Sequence, residues 1–246
     1  MPDLPFAYHA ALGVALDGLA TIGVRLDPRG RQVIDGHLRL LAAWNPAVNL
    51  TAIMDPVGLA ERHVADSLAA IPVILDGPHR TLIDIGSGAG FPGIPIGAAM
   101  PGLRLTLVES TGKKAAFLRV VAAEPGLARR VDVRAERAEA IAPGDWDVVT
   151  ARAVGALADL VELGLPLLRR GGRLIAWKRG DLAVELAAAG RAAQAMGGSP
   201  PWWRPHPDAV QDAAHLAGHG VAVIEKRSPT PEGYPRDPAR RKRRPW

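Results

Sequence analysis

Residues 82–93 read Leu-Ile-Asp-Ile-Gly-Ser-Gly-Ala-Gly-Phe-Pro-Gly, and this run constrains the fold of the whole chain. An apolar strand ends at Asp84, glycines alternate at 86, 88 and 90, and a helix begins near Pro92 or Pro95. Glycine is needed where a backbone turns with positive φ or presses against a ligand, because it has no Cβ to collide. A strand, a glycine turn and a helix N-terminus in that order make a nucleotide-shaped cradle at the carboxyl edge of a parallel sheet.

The spacing also bears on which nucleotide. A dinucleotide fingerprint is G-x-G-x-x-G, and starting it at Gly86 puts Phe91 where the third glycine belongs. That argues against a nicotinamide-dependent dehydrogenase. The chain has G-x-G-x-G with Asp84 two residues ahead, an arrangement suited to a cofactor with an adenosine and a charged amino-acid tail. S-adenosylmethionine is such a cofactor.

Further residues fall where that cofactor needs partners. Glu109 closes the next apolar stretch, and a carboxylate there can accept from both ribose hydroxyls. Asp84 belongs near the methionine end, either binding the ammonium or orienting the turn. Within Ala135-Glu136-Arg137-Ala138-Glu139 the backbone can read the adenine edge and a carboxylate can take its exocyclic amine, with Glu139 preferred to Glu136. Arg152 lies at a fourth strand end that opens on the reacting centre, where an arginine is a poor packing choice. Lys178 ends the fifth strand on the same rim and could meet RNA phosphate or a cofactor carboxylate.

Around these motifs the texture changes once. Apolar spacing predicts helices over 7–23 and 28–44, with Asp27-Pro28 as cap and first turn and Trp44-Asn45-Pro46 as the stop. Asp55-Pro56 opens a third helix running toward Ile74. From residue 81 alternation predicts strands at 81–86, 103–109, 130–134, 146–151, 172–177 and 220–226. Helices fit 92–100, 112–124, 155–169 and 181–196 between them, and the proline-rich 198–208 reads as an edge strand or loop. Strand and helix alternate, so the expected fold is α/β: a largely parallel, Rossmann-like sheet covered by helices, with an N-terminal helical lobe. In that lobe, Arg62 and Asp66 stand at i,i+4 and can pair on one helix face, and the cluster around His63 and Ser67 docks the lobe on the sheet.

With no cysteine, disulfides, thiolate zinc sites and cysteine nucleophiles are excluded, and seven histidines give little support to a metal site. The start Met1-Pro2-Asp3 lacks a secretory pattern and no apolar run is long enough to span a bilayer, so a cytoplasmic monomer without membrane partners is expected. Lys and Arg exceed Asp and Glu by five. Arg236, Arg240, Arg241, Lys242, Arg243 and Arg244 against Asp237 account for the whole excess, leaving the body formally neutral. Such a run is expected to repel itself, stay extended and contact nucleic-acid phosphates.

Taken together, these residues resemble the bacterial small-subunit ribosomal RNA methyltransferase G family, also called glucose-inhibited division protein B. The likeness is carried by Trp44-Asn45 with Asn49-Leu50-Thr51, Arg62-His63-Val64-Ala65-Asp66-Ser67 and Asp84 through Gly93. It continues in Glu109-Ser110 with Lys113-Lys114 and Phe117-Leu118, in Thr150-Ala151-Arg152-Ala153 and in Tyr234-Pro235-Arg236. The resemblance implies a class I methyltransferase fold, S-adenosylmethionine as donor and N7 of a guanine in the 530 loop of 16S rRNA as acceptor, on free rRNA or the 30S subunit. It places cofactor contacts on Gly86, Phe91, Ala138, Glu139 and Arg152, beside Asp84, Gly88 and Glu109 from the loop reading. Lys178 and the tail cations are left for RNA. N7 carries a lone pair and no proton, so no general base is expected. The implied division is a lobe at 1–78, a methyltransferase domain at 79–228 and a basic tail at 229–246. A small-molecule methyltransferase on the same scaffold and a non-catalytic RNA-binding module are the competing readings.

Overall fold

The computed structural model describes residues 3–153 and 155–246. Seven strands form one sheet in the order β3-β2-β1-β4-β5-β7-β6: β1 (Thr81–Ile85), β2 (Arg104–Val108), β3 (Val131–Arg134), β4 (Trp146–Arg152), β5 (Leu168–Arg179), β6 (Trp202–Pro205) and β7 (His219–Glu225). β1 to β5 are mutually parallel, while β7 runs antiparallel to both β5 and β6. The strand order reverses between β1 and β4, which opens a crevice beyond their carboxyl ends.

Alternation along the strands explains both layers. Leu82, Leu105, Leu107, Val148 and Ile175 face one side, against Leu38, Leu41, Val64, Leu68, Ile94 and Phe117. Ile83, Ile85, Val108, Val149 and Leu174 face the other, against Leu157, Leu160, Val161, Ala189 and Ala192. The N-terminal helices therefore share one continuous core with the helices Gly93–Ala99 and Gly112–Ala122 on the first face. The helices Leu157–Gly164 and Ala183–Ala195 cover the second. The proline-rich segment supplies β6 at the sheet edge, where a missing N–H is tolerated.

Three expectations need correction. The second helix spans Pro28–Val48 and continues through Pro46, ending on Asn49 in the left-handed region at φ 54°. A proline in the last turn forfeits a single helix bond, and the Asn49 N–H closes the end on the Asn45 carbonyl at 2.9 Å. Second, Arg62 and Asp66 do not pair. Leu59–Ala65 is wound as a π-helix, which changes the phase of the helix face, and Arg62 reaches Asp55 instead at 2.8 Å. Third, the basic tail is not extended. Asp237 caps the short helix Pro238–Arg243 by accepting from Arg240 N at 2.9 Å, and protein carboxylates offset part of its charge.

Candidate active site

The turn after β1 is built on positive-φ glycines, Gly86 at 70°, Gly88 at 54° and Gly90 at 91°. Gly86 and Ser87 N–H groups donate to the Val108 carbonyl at 2.9 and 3.0 Å, tying the turn to the end of β2. The next residue of that strand end, Glu109, completes the cradle. Its buried carboxylate accepts from Gly88 N at 3.0 Å and from Thr111 N at 2.7 Å. A carboxylate has about four lone-pair sites, so acceptor capacity is left over.

Asp84 lies beneath the turn, fully buried, accepting from the Thr150 hydroxyl at 2.8 Å and from Gly93 N at 3.3 Å. It thereby joins β1, β4 and the first turn of the following helix. Burial pushes its pKa up to about 6, against those same hydrogen bonds, which favour the ionised form. The geometry is that of a residue orienting the turn.

From the helical side, His37 reaches the same loop: its Nε2 donates to the Ala89 carbonyl at 2.7 Å. Burial lowers its pKa to about 4, so the ring is neutral at pH 7. Sequence reading missed this residue. The available signal was a polar side chain inside the buried stripe of Val33, Ile34, Leu38 and Leu41.

Arg152, at the end of β4, is held by the helical lobe. Nη1 donates to Asp66 Oδ2 at 3.0 Å and to the Arg62 carbonyl at 3.1 Å, Nη2 donates to His63 Nδ1 at 3.3 Å, and the guanidinium lies 5.2 Å from the centre of the Phe91 ring. His63 stacks on Phe91 with centroids 4.3 Å apart. Burial and the adjacent guanidinium lower the His63 pKa to about 3.

Asp66 also accepts from His206 at 3.0 Å and His219 at 3.2 Å, and its carbonyl accepts from Trp177 Nε1 at 2.8 Å. Burial alone would raise this carboxyl, but the hydrogen bonds from His206 and His219 and the Arg152 charge outweigh it and hold the group well below the usual carboxylate range. As expected, the 62–67 cluster docks the lobe on the sheet.

These elements line an open cavity of about 420 Å³, formed by Thr51, His63, Gly86 through Ala89, Phe91, Glu109 and Arg152, among others. Gly86, Gly88, Phe91, Glu109 and Arg152 thus converge, with Asp84 directly behind them. Ala138 and Glu139 form a short turn just past β3, and Glu139 is paired with Arg241 of the tail helix. Lys178 is committed to Glu185 at 2.7 Å and to the Gly155 carbonyl at 3.1 Å. Arg236 is clasped by buried Glu162, which accepts from its Nη2 at 2.6 Å and from Trp246 Nε1 at 2.7 Å. Lys178, Arg236 and Arg241 therefore bind protein carboxylates, whereas Arg240, Lys242, Arg243 and Arg244 are exposed. The reason is proximity to Glu185, Glu162 and Glu139, which the topology sets and the sequence does not display. Among the described residues, no His, Asp and Glu cluster could hold a metal ion, and no helix is long and apolar enough to cross a membrane.

Comparison with known proteins bears on this geometry. The chain shows structural likeness to a SAM-dependent O-methyltransferase from Thermotoga maritima, with 17% identity, a TM-score of 0.51 and coverage of 68% of this chain and 66% of that one. That shows the fold. In sequence, it is 44% identical over 232 residues to the Ribosomal RNA small subunit methyltransferase G of Roseiflexus sp. (strain RS-1), covering 89% of this chain and 94% of the relative. The protein of the same name from Symbiobacterium thermophilum is 37% identical over 236 residues, covering 91% and 93%. The family model described as rRNA small subunit methyltransferase G matches residues 31–200, which contain the glycine turn, Glu109, Arg152 and Asp66. The chain belongs to the rRNA small subunit methyltransferase G family.

Proposed function

We propose that the protein transfers a methyl group from S-adenosylmethionine to N7 of a guanine in the 530 loop of 16S rRNA, acting as a cytoplasmic monomer. Family membership gives the reaction class. The observation that supports the donor is the convergence of the positive-φ glycine turn, Glu109 and Arg152 on one cavity at the β1/β4 crevice.

The residues present fit the donor. An added Cβ at Gly88 would meet only the Gly86 carbonyl oxygen, at 3.8 Å, so the cradle has room above the turn. Glu109 has lone pairs to spare for ribose hydroxyls, Asp84 holds negative charge below the methionine end, and Arg152 offers a cation for a carboxylate. When bound, the donor supplies an electrophilic methyl carried on a sulfonium.

The chain's own contribution is alignment. N7 attacks with an in-plane lone pair, positive charge passes to the purine and no proton leaves, so no base is required. The residues must hold N7 about 3–3.5 Å from the methyl carbon and in line with the departing sulfur. In A-form RNA that edge lies in a deep, narrow groove, so the target must be looped out or flipped. Arg240, Lys242, Arg243 and Arg244, displayed from the docked helix, would hold neighbouring phosphates.

Unmodified 16S rRNA and 30S subunits incubated with labelled donor, followed by nucleoside mapping, test the reading. It predicts 7-methylguanine in the 530 loop. Label found only in small molecules, or none on RNA while the donor binds, refutes it.

A further inference from the structure

Thr51 lines the same cavity, and the polarity of its hydroxyl's hydrogen bond is fixed from behind. Arginine can only donate. Arg152 Nη2 at 3.3 Å therefore makes His63 Nδ1 an acceptor. A neutral ring then carries its proton on Nε2, and burial together with the guanidinium keeps this ring neutral. Nε2 lies 2.9 Å from Thr51 Oγ1 and donates to it. The same oxygen accepts from Ile53 N at 3.1 Å. With both lone pairs occupied, its remaining capacity is to donate the O–H hydrogen.

Thr51 is also held in place. Asn45 Oδ1 accepts from Thr51 N at 2.9 Å, while Asn45 Nδ2 donates to the Thr51 carbonyl at 3.0 Å. The donor is thus set by a chain, Asp66 to Arg152 to His63 to Thr51, whose first link is an ion pair between lobe and sheet.

We propose that Thr51 reads the target base by donating its hydroxyl hydrogen to guanine O6. This rests on the guanine-N7 reading above. On the base edge that contains N7, guanine presents the O6 acceptor beside it, whereas adenine presents an amine donor at that place. An obligate donor there accepts guanine and opposes adenine. His63 and Arg152 act on this choice as positioning residues.

The test uses the full chain with Thr51→Val and with Thr51→Ser, which keeps the hydroxyl. Affinity for S-adenosylhomocysteine is measured by calorimetry, and methyl transfer to unmodified 16S rRNA in single turnover. Thr51→Val is expected to slow transfer about tenfold, the effect of one neutral hydrogen bond, with unchanged affinity. Thr51→Ser restores most of the rate. On RNA carrying 2-aminopurine at the target, which has N7 but no O6, wild type and Thr51→Val should transfer equally slowly. A valine variant at full rate on guanine overturns the proposal. So does a loss of cofactor affinity that matches the loss of rate, since the hydroxyl would then serve the donor's carboxylate. If wild type forms no 7-methylguanine at all, it is the guanine-N7 reading that fails.

Discussion

Asp84→Asn should make the protein more stable at neutral pH while weakening the donor site. Burial raises the carboxyl from its ordinary 3.8 to about 6. Two units at about 1.4 kcal/mol each amount to about 3 kcal/mol of stability absent once the group ionises. The sign follows from proton counts. Between pH 3.8 and about 6 the native state holds a proton that the unfolded chain has released, so stability falls as pH rises through this window and then stays level. Asparagine carries no charge and removes that cost. Its amide can accept from only one of Thr150 Oγ1 and Gly93 N through its single oxygen, a loss of about 1 kcal/mol. The net expectation at pH 7.5 is a gain of about 1–2 kcal/mol, shrinking and reversing near pH 4. Urea unfolding of both proteins from pH 4 to pH 8 measures it. The difference between the two curves cancels Asp66, Asp147 and Glu162, all lowered and sloping the other way. Curves that run parallel across the window refute the reasoning. Calorimetry on the variant should show weaker S-adenosylhomocysteine binding, because the turn has lost the carboxylate that ties it to β4.

His37 and His63 are lowered from 6.5 to about 4 and about 3, so the stability of their neutral rings is full above pH 6.5 and lost as pH falls toward those values. Melting temperature should drop over that range, and His37→Leu should flatten the drop. Gly90→Ala should cost roughly 1–3 kcal/mol by chemical denaturation, since φ is +91° and the new Cβ would lie 2.9 Å from Ile94 Cγ1 and 3.0 Å from His37 Nε2. Glu162→Ala strands Arg236 and Trp246, a loss of roughly 3–5 kcal/mol for breaking a buried pair; trypsin should then cut the 240–244 segment faster while S-adenosylhomocysteine binding persists. Alanine at Arg240, Lys242, Arg243 and Arg244 together should flatten the salt dependence of RNA binding, by about 0.7 in log–log slope per lost phosphate contact.

What could be read from the sequence was what repeats locally or demands a special backbone. The strands were legible because Leu82, Ile83, Asp84 and Ile85 alternate between two apolar layers, and the cradle because the glycines at 86, 88 and 90 all take positive φ. Partner choice across long separations was not legible. Asp66 finds Arg152, His206 and His219 between 86 and 153 residues away, and His37 finds Ala89 across 52. No periodicity encodes such pairs, because they exist only once the strand order has brought the segments together. The tail failed for a related reason. Its like charges were counted against one another, while Glu162 and Glu139, which offset Arg236 and Arg241, lie 74 and 102 residues away.

Those long-range contacts also explain why the site needs the helical lobe. A cation at a strand's carboxyl edge is poorly placed unless a neighbouring charge fixes it, and Asp66 does so for Arg152 from the lobe side. The same contact sets the His63 tautomer and, through it, the polarity of Thr51. His37 meanwhile fastens the glycine turn to the second helix. The Thr51–His63 wall of the cavity is therefore tied to the docking contact, while the cradle is held by its own bonds to β2 and β4 and by His37. A lobe that packed through apolar surface alone would complete the core yet leave Arg152 without fixed orientation and the His63 tautomer unset. The ion pair at this boundary is thus best understood as specifying the site's geometry, since replacing a buried pair by well-packed apolar residues often leaves stability unchanged or improved.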